Sequence, residues 1–109
     1  MNAGLTSQEY DFRAYEDLTF AFDLRYDTEN NYDGLVVEYT TDSITWIQLG
    51  SIADDNWYNN TSASSFGAGT HAWSGDNSSW QTYSIQLPDV LDTNLQYTLD
   101  LDFYWTVTQ

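Results

Sequence analysis

Three carboxylates, Asp27, Glu29 and Asp33, fall within a span of seven residues that also holds Asn30 and Asn31. Calcium takes roughly six to eight oxygens from carboxylates, amide side chains and backbone carbonyls, and this stretch offers all three kinds. Gly34 follows at once and permits a sharp exit from such a loop. Asp27, Glu29, Asn31, Asp33 and Glu38 also fall at offsets one, three, five, seven and twelve of an EF-hand. Tyr32 occupies the position that motif reserves for glycine, and both flanks read as strands, so the EF-hand is rejected and the metal is kept. Asp27, Glu29 and Asp33 are therefore the expected Ca2+ ligands. The plainer alternative is a solvated acidic loop in a chain that is acidic throughout. Glu38 alternates onto the face of Val36 and reads more simply as an exposed sheet carboxylate. Asp54-Asp55 is a weaker second candidate pair.

Catalytic constellations carry little weight. Seventeen acidic residues guarantee many carboxylate pairs, so pairing of the glycosidase kind holds no information. His71 is the only histidine, which excludes a His-rich metal centre. Ser74, His71 and Asp76 make a triad on paper, but no nucleophile-elbow glycine pattern supports it. A loop histidine hydrogen-bonded to backbone is the expectation, and the chain reads as non-catalytic.

Aromatic residues suggest binding instead. Trp57 and Tyr58 are framed by Asp54, Asp55, Asn56, Asn59 and Asn60, and read as an exposed pair. A sugar stacks its C–H face on such rings, while amides and carboxylates meet its hydroxyls. Trp73 and Trp80 are expected to pack into the core.

The elements that position these groups are strands. Residues 18–26 alternate, with Leu18, Phe20, Phe22, Leu24 and Tyr26 on one face. A polar loop over 27–34 leads to a strand over 35–40, a turn at 41–43 and a hairpin partner over 44–49. Residues 50–79 show no clear pattern, and a stretch that long tends to be functional or to hide short strands. Alternation resumes over 80–87 and stops at Pro88. Residues 95–107 place Leu95, Tyr97, Leu99, Leu101, Phe103, Trp105 and Val107 on one face.

Such strands suit an all-β antiparallel jelly-roll β-sandwich with one wet face. Residues 1–15 read as an N-terminal arm or first strand, and 16–109 as the sandwich domain. The last strand has no successor, so the sandwich is expected to be open at its C-terminal edge. Either the chain is truncated or strands are exchanged between molecules.

Composition narrows the partners. The chain has 109 residues, 17 acidic against two basic, for a formal net charge of −15. Nucleic acid is excluded as an ordinary partner, because phosphate binding needs clustered Lys and Arg. Anionic membrane surfaces are disfavoured, and no apolar run is long enough for insertion. No cysteine is present, so disulfides and thiolate sites are excluded. High charge with low hydropathy warns of disorder, but 19 Phe, Trp and Tyr rings supply a core. Self-repulsion at −15 calls for divalent cations or salt. An extracellular or cell-surface setting follows, although Met1-Asn2-Ala3-Gly4 carries no signal-peptide pattern.

Several stretches in order carry a resemblance. Tyr26-Asp27-Thr28-Glu29, Tyr32-Asp33-Gly34-Leu35-Val36-Val37-Glu38-Tyr39-Thr40-Thr41-Asp42 and Thr45-Trp46-Ile47-Gln48-Leu49-Gly50 are followed by Ala72-Trp73-Ser74-Gly75-Asp76, Trp80 and Ile85-Gln86-Leu87. This pattern resembles the MAM-like jelly-roll module of secreted bacterial metallopeptidases of the immune inhibitor A type and of large bacterial surface proteins. It departs from that family at Thr41-Asp42-Ser43-Ile44, which lacks the usual glycines, and in missing the closing glycine-led strand that ends Ile-Asp-Asp. The resemblance implies a jelly roll whose last strand or strands lie outside this chain. It strengthens the calcium reading and carries no catalytic residue across.

The expected function is a non-catalytic, calcium-binding module for adhesion or carbohydrate binding, with a glycan or surface protein as partner. The alternative is a subunit of a filament or surface assembly that self-assembles through an open sheet edge. There Leu5, Tyr10, Phe12 and Tyr15 of the arm would form a donated strand.

Overall fold

The computed structural model describes residues 2–7, 18–40, 42, 44–87 and 104–108. Among the described residues strands dominate and helix is almost absent, so the chain is all-β. The strands among the described residues are β1 (Asn2–Thr6), β2 (Thr19–Asp27), β3 (Leu35–Tyr39), β4 (Ile47–Gln48), β5 (Asp76–Gln86) and β6 (Tyr104–Thr108). One sheet runs β1-β6-β3-β4 and a second pairs β2 with β5, every pair being antiparallel.

The alternation in β2 has its expected consequence. Phe20, Phe22 and Leu24 are half-buried and Tyr26 is buried, while Thr19, Ala21, Asp23, Arg25 and Asp27 face solvent. Strand β3 is different, because Leu35, Val36 and Val37 are all buried. Leu35 and Val37 join the main core, and Val36 packs on the other side against Ala63, Ala72 and Phe66. A continuous apolar run is what a strand covered on both faces requires. The turn after β3 is organised by Asp42, whose carboxylate accepts the Ile44 and Thr45 N–H groups at 2.8 and 2.7 Å. Those two bonds lower its pKa.

The stretch beyond residue 50 is tied down rather than free. Backbone bridges join Leu35 to Trp73 and Asn60 to Ala72, and Ser64–Phe66 forms a 3-10 turn. Strand β5 starts at Asp76, four residues before the alternation suggests. Gly34 is needed for close approach: a Cβ there would lie 2.6 Å from the Trp73 carbonyl oxygen.

The C-terminal strand is not at an open edge. β6 lies between β1 and β3, so among the described strands of this sheet the edges are β1 and β4. The order of an antiparallel sheet is set by long-range pairing, and the N-terminal segment supplies the partner that the end of the chain lacks. The rest of the arm, with Tyr10, Phe12 and Tyr15, and the stretch over 95–103 lie outside the described residues.

The main core draws on both sheets and is aromatic. The Trp73 ring centroid lies 4.7 Å from Tyr58, 4.8 Å from Trp57, 5.2 Å from Tyr83 and 5.5 Å from Phe22. Tilted and edge-on pairs of this kind add about 0.5–1.5 kcal/mol each beyond their buried area.

Candidate functional site

The polar loops gather at one end of the β2–β5 pair. The loop after β2 turns through Tyr32 and Asp33 N–H bonds to the Glu29 carbonyl, with Asn31 at φ 66°. Asparagine tolerates that left-handed conformation better than most residues. Thr28 Oγ1 accepts the Gly75 N–H at 3.0 Å, and the Ser74 hydroxyl donates to the Asp33 carbonyl at 2.6 Å. Across the way, the Asn59 amide clamps Ser74, accepting its N–H at 3.0 Å and donating to its carbonyl at 3.2 Å. Asn60 donates to the Asn31 side-chain oxygen at 2.9 Å.

The three expected metal ligands part company here. Asp27 and Glu29 are exposed, whereas Asp33 is only 6% exposed. Among the described residues no three Asp, Glu or His side chains gather as a metal-binding group. The expected convergence of Asp27, Glu29 and Asp33 is therefore not seen. Strand β2 runs Asp27 out on its solvent face, opposite Asp76 of β5. What the loop does hold is a buried carboxylate whose Oδ1 has no hydrogen-bond partner. An unsatisfied buried oxygen of this kind is costly unless something binds it.

Trp57 and Tyr58 are corrected outright, because they are 2% and 4% exposed. Their polar tips find partners inside. Trp57 Nε1 donates to the Leu49 carbonyl at 2.9 Å, and the Tyr58 hydroxyl donates to the same oxygen at 2.8 Å. That hydroxyl also accepts the Val37 N–H at 3.1 Å, and burial raises its pKa. The pair stitches Leu49 to strand β3 and offers no face for stacking.

Above these rings opens a cleft of about 590 Å3. Asp54, Asp55, Asn56, Asp76 and Gln81 are among its polar lining residues, over a floor of Tyr26, Trp57, Tyr58, Trp73 and Tyr83. The Tyr26 hydroxyl accepts from Asn59 at 2.9 Å, and Asn77 donates to the Tyr83 hydroxyl at 2.9 Å. Burial, with Tyr83 beside it, pushes the Tyr26 pKa up to about 12. Asp54 closes its own turn by accepting the Ser51 N–H at 2.7 Å.

The remaining sequence candidates fall into structural positions. His71 Nδ1 accepts the Ile52 N–H at 2.9 Å, as a loop histidine bound to backbone should. Ser74 spends its hydroxyl hydrogen on Asp33. Glu38 is half-buried and paired in register with Gln48.

Trp80, expected in the core, lies on the surface instead. It is 65% exposed, with the Arg25 guanidinium carbon 5.0 Å from its ring centroid. The signal was one of parity, since Tyr83, Ile85 and Leu87 are buried at odd positions and Trp80 stands at an even one.

Comparison with protein-family models, with curated proteins and with solved structures returns no match to this chain.

Proposed function

We propose that the chain is a non-catalytic, calcium-binding β-sandwich module of jelly-roll type, acting outside the cell in adhesion or carbohydrate binding. The observation that carries the cation is Asp33, a buried carboxylate with an unpartnered oxygen inside a loop rich in amide and carbonyl oxygens. Asp33 is the anionic ligand in this reading, and the Asn30 and Asn31 side chains and backbone carbonyls are the neighbours fit to join it. A bound Ca2+ there neutralises Asp33 and locks together the loops after β2 and before β5. Asp27 and Glu29, both exposed, supply long-range attraction rather than direct ligation. The −15 charge and the MAM-like stretches support the same reading.

Thermal unfolding followed by tryptophan fluorescence tests it, with excess calcium and then with EDTA. At 100 times its dissociation constant calcium adds about 2.7 kcal/mol, or roughly 4–8 °C for a domain of this size. Asp33→Asn abolishes the calcium shift yet is at least as stable as the parent in EDTA, because the buried charge is gone. Glu29→Gln keeps most of the shift. A parent protein whose melting ignores calcium sinks the cation reading.

A strand-exchanged assembly subunit is the second reading. Its support is the β4 edge, where Ile44, Trp46 and Ile47 are exposed. Large particles in light scattering that survive heating favour it over the monomeric module.

A further inference from the structure

The outer face of the β2–β5 pair carries a feature that neither the cation loop nor the cleft explains. Pairing passes from Leu24↔Gln81 to Tyr26↔Asn77, so Arg25 alone faces the three residues Ser78, Ser79 and Trp80. Bulges of this kind re-aim side chains and recur beside binding sites. Here the bulge coincides with a tryptophan left 65% exposed. Arg25 lies against that ring at 5.0 Å and makes no ion pair among the described residues. The Asp23 carboxylate beside it is engaged by the Thr82 hydroxyl at 2.5 Å. A depression of about 360 Å3 adjoins the pair, lined by Arg25, Tyr26, Asp27 and Ser78.

We propose that this bulge is a saccharide subsite, with Trp80 as the stacking plane for a neutral pyranose ring and Arg25, Asp27 and Ser78 as partners for its hydroxyls. The inference rests on the carbohydrate-binding part of the reading above and not on calcium. Charge selects the ligand. An anion meets Asp23, Asp27 and a chain of net charge −15, and a cation meets the guanidinium already on the ring. A neutral polyol suffers neither repulsion. Its hydroxyls both donate and accept, and the depression offers a carboxylate acceptor, a guanidinium donor and a serine that does both. The ring's C–H face needs an exposed aromatic plane, which Trp80 supplies and the buried rings of the cleft do not.

The test is tryptophan fluorescence of the full chain titrated with cellohexaose, xylohexaose, mannohexaose and chitohexaose at up to millimolar concentration, in calcium and in EDTA. Polygalacturonate serves as the charged comparison. The expected result is saturable binding of at least one neutral probe, weakened about tenfold or more by Trp80→Ala and partly retained in Trp80→Phe. Asp55→Asn, in the cleft, leaves the affinity unchanged. Trp80 is exposed, so its variants should melt close to the parent, which circular dichroism checks. No binding of any neutral probe, binding that survives Trp80→Ala but not Asp55→Asn, or tighter binding of polygalacturonate each overturns the subsite. The calcium-dependent melting shift, read on the same samples, reports separately on the cation reading.

Discussion

Trp57 and Trp80 exchange the places that their neighbours in sequence suggest. Trp57 sits among Asp54, Asp55, Asn56 and Asn59 and is buried, while Trp80 opens an alternating run and is exposed. Local polarity describes the flanks of a residue, not the direction of its side chain. Trp57 turns inward because the Leu49 carbonyl waits there for its N–H, and because Phe22 and Trp73 meet its ring edge-on. Trp80 turns outward because Tyr83 and Ile85 of β5 fill the core and the bulge leaves it opposite Arg25. Tertiary partners and strand register decided both cases.

The contrast has energetic consequences of very different size. Trp57→Ala removes a ring from the aromatic core and should cost about 3–5 kcal/mol. Trp80→Ala loses one exposed cation–π contact and should cost at most about 1 kcal/mol. Urea unfolding of the two variants measures the difference directly. Equal costs would break the comparison, since they would mean that Trp80 is a core residue or that Trp57 is not.

A smaller effect isolates the polar tips from the rings. Tyr58→Phe keeps the ring and removes the hydroxyl that accepts the buried Val37 N–H. A buried donor left without its acceptor costs about 1–3 kcal/mol. The Leu49 carbonyl keeps its bond from Trp57, so the loss falls on Val37. Hydrogen exchange should show the Val37 amide losing protection while the fold persists. An unchanged Val37 rate would mean that the hydroxyl contributes packing alone.

The same contrast explains what the sequence could show. The face of β2 was legible from Phe20 to Tyr26, because alternation in a half-buried strand maps directly onto burial. The hairpin after Gly34 was legible in part: Asp42 organises its turn, but the return strand expected over 44–49 is only Ile47–Gln48. The interior position of β6 was not, because its neighbours β1 and β3 are distant in sequence and no local pattern encodes them. In the loop, spacing brought Asp27, Glu29 and Asp33 together on paper. It could not say which carboxylate turns inward, a choice set by the hydroxyls of Thr28 and Ser74 closing on the Asp33 carbonyl. Trp80 was legible by parity, and the apolar weight of tryptophan obscured it.

The smallest effect at neutral pH grows in alkali and probes the floor of the cleft. Tyr26 holds its proton up to about 12, against 10.0 for an unburied phenol, because its ring is buried and Tyr83 adjoins it. Below pH 10 the folded and unfolded chains both keep this proton, and its stabilising contribution is fully present. Between 10 and about 12 the unfolded chain releases the proton while the fold retains it, so stability falls through that window. Tyr39 and Tyr58, also raised by burial, add to the same slope. Tyr26→Phe removes one part of it, so the urea midpoint of the variant should decline less steeply above pH 10 than that of the parent, even though losing the Asn59 bond lowers it at neutral pH. Parallel declines would place the Tyr26 hydroxyl in water, and the cleft floor would then differ less from the Trp80 face than the burial of its rings implies.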